Sequence, residues 1–411
     1  ATNQAAMVLV HDEEVDQLFS DSGRLATGIP GFRPRKSQTD MARAVAQAIA
    51  GQTALIVEAG TGTGKTFAYL VPALLWGGKV IISTGTKNLQ DQLFLRDIPV
   101  VRKALNAPVS VALLKGRANY VCHFHLERTL QNGRLTARED VGYLRDIGRF
   151  IKTTSTGDKA ELSNVPESAL IWNLVTSTRD NCLGAECAHY QDCFVMKARK
   201  EAQQADVVVV NHHLFFADVA LKDTGVAELL PSANTVIFDE AHQLPETATL
   251  FFGEDISTSQ IMELCRDVLA EGLTHARDGA DWGALVASLE KSVRDLRLTF
   301  PAEGTRLAFA QIAVSSPFFP ALEHLKRMLA HMVEVLATQA ERAETIEQCR
   351  VRAVEIGNRL ADWKEVTDES LPPTVLWVEA FSQSVQLHRT PLSIAPIFSK
   401  QREGPPRAWI F

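Results

Sequence analysis

The sequence predicts an α/β fold, a parallel sheet interrupted by two inserts. Three observations lead there. Short apolar strands alternate with helical patterns between residues 54 and 117, and the alternation resumes at residues 207–239. Between those stretches lies chain without a regular strand pattern, and it carries four of the six cysteines. From about Thr247 to Pro372 the apolar residues recur at helical spacing.

Composition sets the bounds. The chain has 411 residues, enough for two to four domains, and is 46% hydrophobic and 22% charged, as ordinary globular chains are. No apolar run approaches the roughly 18 residues that would cross a bilayer. Met7 to Val10 has acidic flanks and no signal-peptide layout. The expectation is a cytoplasmic protein without a membrane partner. A net charge of −7 excludes a uniformly basic nucleic-acid surface, so any such contact must use local clusters. Three are present: Arg33-Pro34-Arg35-Lys36, Lys115-Gly116-Arg117 and Lys197-Ala198-Arg199-Lys200.

Residues 1–30 read as an arm with a short helix. Gln38 leads a helical pattern through Met41, Val45, Ala48 and Ile49 that ends at Gly51. Ala54 to Val57 is a short buried strand. Phe67 to Trp76 is a helix, interrupted by Pro72 and ended by Gly77-Gly78. Val80-Ile81-Ile82 is a second strand, followed by Ser83 to Thr86 and a helix from Lys87 to about Leu95. Val109 to Leu114 is a third strand. After the cysteine-bearing insert come the strands Val207 to Val210 and Thr235 to Phe238. In the helical insert, Ser257 with Gln260 forms a capping box. Ile261, Leu264, Val268 and Leu269 make one apolar stripe, and Leu322, Leu325, Leu329, Met332 and Leu336 another. The runs Leu376-Trp377-Val378 and Ala408 to Phe411 are β-prone and are expected to return to the first sheet.

The chemistry begins at Glu58-Ala59-Gly60-Thr61-Gly62-Thr63-Gly64-Lys65-Thr66. A glycine-rich turn between strand and helix lets backbone N–H groups converge on phosphate, and the helix N-terminus adds positive potential. Lys65 can reach the β and γ phosphates of ATP, and Thr66 can place its hydroxyl on Mg²⁺. Ala59 stands where the general pattern has its first glycine. Directly after an apolar strand, Asp239-Glu240-Ala241-His242 supplies the opposing carboxylates. Asp239 is expected to hold Mg²⁺, Glu240 to act as general base on the attacking water, and His242 to link the nucleotide site to the moving strand.

Cys122, Cys182, Cys187 and Cys193 have the spacing C-x59-C-x4-C-x5-C. In a cytosolic chain such clustering favours a metal site over disulfides. Structural zinc usually uses tight C-x2-C pairs, which are missing; four widely drawn thiolates suit an iron–sulfur cube. His123, His125 and His189 keep a mixed Cys/His zinc site open.

These motifs, in order from Phe32-Arg33-Pro34-Arg35-Lys36-Ser37-Gln38 to Asp239–His242, resemble the DinG/YoaA branch of the XPD-like superfamily 2 DNA helicases, most of all its YoaA members. The match includes Ile82 to Leu93, Leu114-Lys115-Gly116-Arg117-Ala118-Asn119-Tyr120-Val121-Cys122, Asp180-Asn181-Cys182-Leu183-Gly184 and Val210-Asn211-His212-His213-Leu214. The resemblance implies a RecA-like motor domain (31–117, 206–246 and 373–411) interrupted by an iron–sulfur cluster domain (118–205) and an all-helical Arch domain (247–372). It implies a [4Fe-4S] cluster on the four cysteines, ATP and Mg²⁺ as cofactors, and 5′-to-3′ movement on DNA. Arg35 and Gln38 would contact adenine, with Ala59, Gly60, Thr61, Gly62, Thr63, Gly64, Lys65, Thr66 and His242 completing the nucleotide site. Thr84, Thr86, Lys115 and Arg117 would meet the DNA backbone. Single-stranded and forked DNA and replication or repair proteins are the implied partners of a monomer. Family members continue past a strand such as Ala408 to Phe411 into a second motor domain. This chain is therefore expected to bind ATP weakly and unwind little by itself. The alternative is an iron–sulfur DNA-binding module without motor activity.

Overall fold

The computed structural model describes residues 12–60, 62–132, 138–178, 181–223, 229–300, 303–364, 374–393 and 395–411. Thr61, Asp180, the first 11 residues of the expected arm and the expected boundary at 372/373 lie outside them. The chain forms two compact units, Ala1–Ala248 with Ile397–Phe411, and Thr249–Pro396.

The first unit is built on a six-stranded sheet of order β1-β10-β5-β2-β4-β3. The strands are β1 (Ala54–Leu55), β2 (Val80–Thr84), β3 (Val111–Leu113), β4 (Val207–Asn211), β5 (Thr235–Phe238) and β10 (Ala408–Ile410), and every pairing is parallel. All residues of β2 and β5 are buried, as unbroken apolar runs in a sheet covered on both faces require. Ser83 aligns with both Val210 and Phe238, so β2, β4 and β5 end side by side. The helices Lys36–Gly51 and Lys65–Trp76 share one core with the sheet through Val45, Ala46, Leu70, Val71, Ile82 and Ile237. Pro72 sits inside the second helix without ending it.

The cysteine-bearing segment has its own small core, in which Val121, Leu126, Leu144, Ile147, Trp172 and Val175 pack together. It is largely helical, with His123–Asn132, Arg138–Phe150 and Phe194–Gln204 as its longer helices.

The second unit has four long helices: Thr258–His275, Trp282–Leu298, Phe318–Gln339 and Glu344–Asp362. Both expected apolar stripes enter its core, and Ser257 and Gln260 form the expected capping box. The unit is not all-helical, however. Strands β6 (Glu254–Ser257), β7 (Arg306–Ala308), β8 (Thr374–Ala380) and β9 (Val385–Pro391) form an antiparallel sheet of order β6-β9-β8-β7. Leu376-Trp377-Val378 therefore lies in this second sheet and does not return to the first; β10 alone of the last segment does. The reason is local. β8 and β9 form a hairpin whose short turn costs little closure entropy, and its alternate residues Leu376, Val378 and Ala380 face the helical core.

Candidate nucleotide site and cysteine-lined cavity

The phosphate loop follows β1 and ends at Gly64, which caps the helix Lys65–Trp76 in a left-handed conformation with φ 83°. Gly62 is also left-handed, with φ 78°. A Cβ at Gly64 would overlap the Gln38 side-chain amide. That amide donates to the Gly64 carbonyl at 2.9 Å, and the Arg35 guanidinium donates to the Gly62 carbonyl. Thr63 Oγ1 closes the loop onto the Gly60 carbonyl at 2.8 Å. Arg35 and Gln38, expected at adenine, thus brace the loop's main chain in this structure. Ala59 and Thr66 are half-buried beside it.

Asp239 follows β5, and its N–H donates to the Ser83 carbonyl at the end of β2, 2.8 Å away. Glu240 is a non-glycine residue at φ 57°, a strained conformation of the kind concentrated at functional sites. The turn puts Glu240 Oε1 3.6 Å from Lys65 Nζ and Oε2 3.4 Å from His242 Nδ1. The sheet thereby brings Lys65, Asp239, Glu240 and His242 together at its carboxyl edge, where open α/β sheets bind ligands. Burial, then the charge of Glu240, raise the Asp239 pKa, while Lys65 partly offsets them. A phosphate arriving at the loop would compete with Glu240 for Lys65 and release that carboxylate. Asp239 and Thr66 offer the oxygen ligands that Mg²⁺ prefers.

Two groups beneath this pair, Tyr69 and His212, had no role in the sequence reading. Tyr69 is buried on the loop's helix, and burial followed by the Asp239 charge holds its phenol well above the usual range. His212, fully buried after β4, sits 2.7 Å by Nδ1 from Ser83 Oγ, and burial pushes its pKa down to about 4. The run Asn211-His212-His213 after an apolar strand was the available signal.

The four cysteines line one cavity of about 180 Å³. Cys122 is fixed by donating its N–H to the Val175 carbonyl at 2.8 Å, and Cys193 caps the helix Phe194–Gln204. Cys182 and Cys187 come from the turns between. All four are free and half-buried. Burial pushes the Cys122 thiol up to about 11, against the backbone N–H groups of His125 and Phe124 that favour its thiolate. Among the described residues, no group of three or more His, Cys, Asp or Glu is close enough to share one metal ion. The donor set around the cavity is four thiols, the ligand type an iron–sulfur group uses. His189 pairs with Glu127 at 2.9 Å and its ring stacks on His123 at 5.7 Å, so both imidazoles have other partners.

The expected DNA contacts differ in their surroundings. Lys115 is only 4% exposed, and its ammonium is held 2.7 Å from both Asp91 and Asp158. Burial lowers its pKa, but Asp158 and Asp91 outweigh burial and the net shift is upward. In this structure it is the centre of an internal ion-pair group. Thr84 is fully buried and donates to the Thr86 carbonyl. Thr86 is exposed and caps the helix Lys87–Gln92 by accepting from Leu89 N–H at 3.3 Å. Arg117 is half-buried and lines the cysteine cavity.

A glycine loop facing an Asp-Glu pair across the carboxyl edge of a parallel sheet defines a phosphate-loop α/β domain. A family profile described as DEAD/DEAH box helicase matches residues 39–119. A protein named ATP-dependent DNA helicase YoaA from Haemophilus influenzae is 41% identical over 402 residues, 98% of this chain and 62% of that protein. Its namesake from Escherichia coli is 43% identical over 396 residues, 96% of this chain and 61% of its own length. A protein named ATP-dependent helicase DinG from Mycobacterium tuberculosis is 34% identical over 272 residues, 61% of this chain and 40% of that protein. A solved structure titled Truncated XPD aligns with 90% of this chain and 91% of its own, at 15% identity and TM-score 0.42. Over nearly its whole length the chain is similar to the two YoaA proteins, and over about three fifths of it to DinG. It spans about three fifths of the length of the two YoaA relatives, 62% and 61%.

Proposed function

We propose that this chain carries the ATP site and a DNA-binding surface of an ATP-dependent DNA helicase that moves 5′ to 3′ in replication or repair. The observation that carries the proposal is the convergence of Lys65, Asp239 and Glu240, with Lys65 Nζ 3.6 Å from Glu240 Oε1. Lys65 would bind the β and γ phosphates of ATP, Asp239 and Thr66 would ligate Mg²⁺, and Glu240 would accept a proton from the attacking water. The Gly60, Gly62, Thr63 and Gly64 main chain would cradle the phosphates, with Arg35 and Gln38 holding the loop's shape. His242 would report the state of Glu240 to its neighbours. Thr86 remains the candidate DNA contact, being exposed at the start of its helix.

Cys122, Cys182, Cys187 and Cys193 would hold a [4Fe-4S] cluster. Its supports are the shared cavity and the all-thiol donor set. The cluster would supply a rigid cross-link among four chain segments and a redox-capable centre. Residues 118–205 would be the cluster domain, and the second unit would correspond to the Arch. A cytoplasmic, monomeric protein acting on single-stranded or forked DNA with replication or repair partners completes the picture. Among the described residues no helix is long and apolar enough to cross a membrane.

The test is ATP hydrolysis by the protein, with and without single-stranded DNA. DNA-stimulated hydrolysis that disappears in Lys65→Ala and Glu240→Gln is the expected result. Hydrolysis indifferent to both substitutions would overturn it and favour a DNA-binding module without a motor.

A further inference from the structure

A continuous series of contacts runs from the nucleotide site to the cysteine-bearing segment, and one side chain begins it. Gln243 ends the short turn that also aims Glu240, its N–H donating to the Glu240 carbonyl at 3.0 Å. Its side chain lies directly on the main chain of Gly85. A Cβ built at Gly85 would overlap Gln243 Oε1 and stand 2.7 Å from Cδ. The Ser83–Thr86 segment is thus touched twice by the Asp239–Gln243 turn, at the Ser83 carbonyl and at Gly85.

From Gly85 the series continues through Thr86, which caps the helix Lys87–Gln92. That helix grips the cysteine-bearing segment at two places. Lys87 pairs with Glu167 at 3.1 Å, and Asp91 meets the buried Lys115, which also holds Asp158. Asp158 bridges to Tyr120 in strand fashion, and Val121 donates its N–H to the Gly157 carbonyl at 2.9 Å. Cys122 is the next residue. The Lys87–Glu167 pair and Thr86 are exposed, but the Lys115 pairs are buried and the Gln243–Gly85 contact is close-packed, the condition for passing a displacement along.

We propose that Gln243 is the positioning residue that couples occupancy of the phosphate loop to the Tyr120–Cys122 and Gly157–Asp158 segments, by pressing on Gly85. This rests on the nucleotide-binding function proposed above. When phosphate displaces Glu240 from Lys65, the turn bearing Gln243 shifts. The helix Lys87–Gln92 follows, and Lys115 carries the change to the wall of the cysteine cavity.

The test is hydrogen exchange on the 411-residue chain with and without Mg²⁺ and a nonhydrolysable ATP analogue. In the wild type, nucleotide should slow exchange at residues 60–66 and change it at 115–122 and 157–158. In Gln243→Ala the protection at 60–66 should persist while the distal change falls, on the order of fivefold. Gly85→Ala should uncouple in the same way by expelling the Gln243 side chain, and the double variant should lose no more than either single one. A distal change that survives in Gln243→Ala overturns the proposal. So does a wild type protected at 60–66 with no distal response, which leaves the nucleotide site standing. No protection at 60–66 in the wild type would sink the nucleotide function and the coupling with it.

Discussion

The nucleotide site and the cysteine-lined cavity both join residues far apart in sequence, but by different means. At the nucleotide site the sheet does the joining. β1 delivers the glycine loop, β5 delivers Asp239 and Glu240, and β2 stands beside β5 with Ser83 accepting from Asp239 N–H at 2.8 Å. Main-chain pairing fixes these positions before any side chain is chosen. The cavity has no such frame. Its thiols come from a strand-like arm at Cys122, two turns at Cys182 and Cys187, and a helix start at Cys193. Local turns and the buried Lys115 ion pairs hold them. Perturbation should therefore stay local at the first site and spread at the second.

The largest expected effect tests that difference. Lys115→Met would leave two partly buried carboxylates without their cation, and removing one member of a buried ion pair costs about 3–5 kcal/mol. Chemical denaturation should show that loss, with the cysteine-bearing segment opening first by hydrogen exchange. A loss below 1 kcal/mol, roughly the ceiling for a surface pair, would mean that the ammonium is not a structural centre.

Next in size is Lys65→Ala. Losing a charge-assisted phosphate contact should weaken Mg–ATP binding by roughly 10–100-fold, measured by calorimetry, with thermal stability nearly unchanged. Gly64→Ala follows. A left-handed conformation at φ 83° costs a non-glycine residue about 1–2 kcal/mol, and the new methyl would also dislodge Gln38. A lower melting temperature and weaker nucleotide binding should appear together, whereas Lys65→Ala should lower binding alone.

A pH series sharpens the account of the buried Ser83–His212 pair. The His212 pKa is about 4 in the folded protein against 6.5 for the free side chain, so the unfolded chain binds more protons between those values. Stability is full above the unfolded pKa and falls as pH drops toward the folded one, by up to about 1.4 kcal/mol per pH unit. His212→Asn should flatten that slope. The smallest effect is Thr86→Ala. Losing the cap of a short helix should cost about 1 kcal/mol, and DNA affinity should fall only if Thr86 also meets the backbone.

The same contrast explains what the sequence could disclose. Val80-Ile81-Ile82 and Val207 to Val210 are unbroken apolar runs, so the parallel sheet was legible, and with it the placement of Lys65 and Asp239. Glu254-Asp255-Ile256-Ser257 is a polar edge strand with one buried residue, Ile256, and gave no strand signal. Leu376-Trp377-Val378 was legible as a strand but not as a partner of β9, because pairing depends on a turn that composition does not mark. The cysteines led to the expectation of a metal site; their shared cavity did not show in the spacing. Lys115 read as a basic surface residue because its partners, Asp91 and Asp158, lie in other segments. Nothing in its own neighbourhood marks it as buried.

The central claim is that the four cysteines form a cluster site joined to a working phosphate loop. The most direct measurement is the visible absorption spectrum of anaerobically purified protein, with iron and sulfide analysis, for the wild type and Cys187→Ser. Broad absorption near about 400 nm with roughly four irons per chain, lost in Cys187→Ser, is the predicted result. A colourless wild-type protein holding one zinc ion would contradict it and reduce the cavity to a structural metal site.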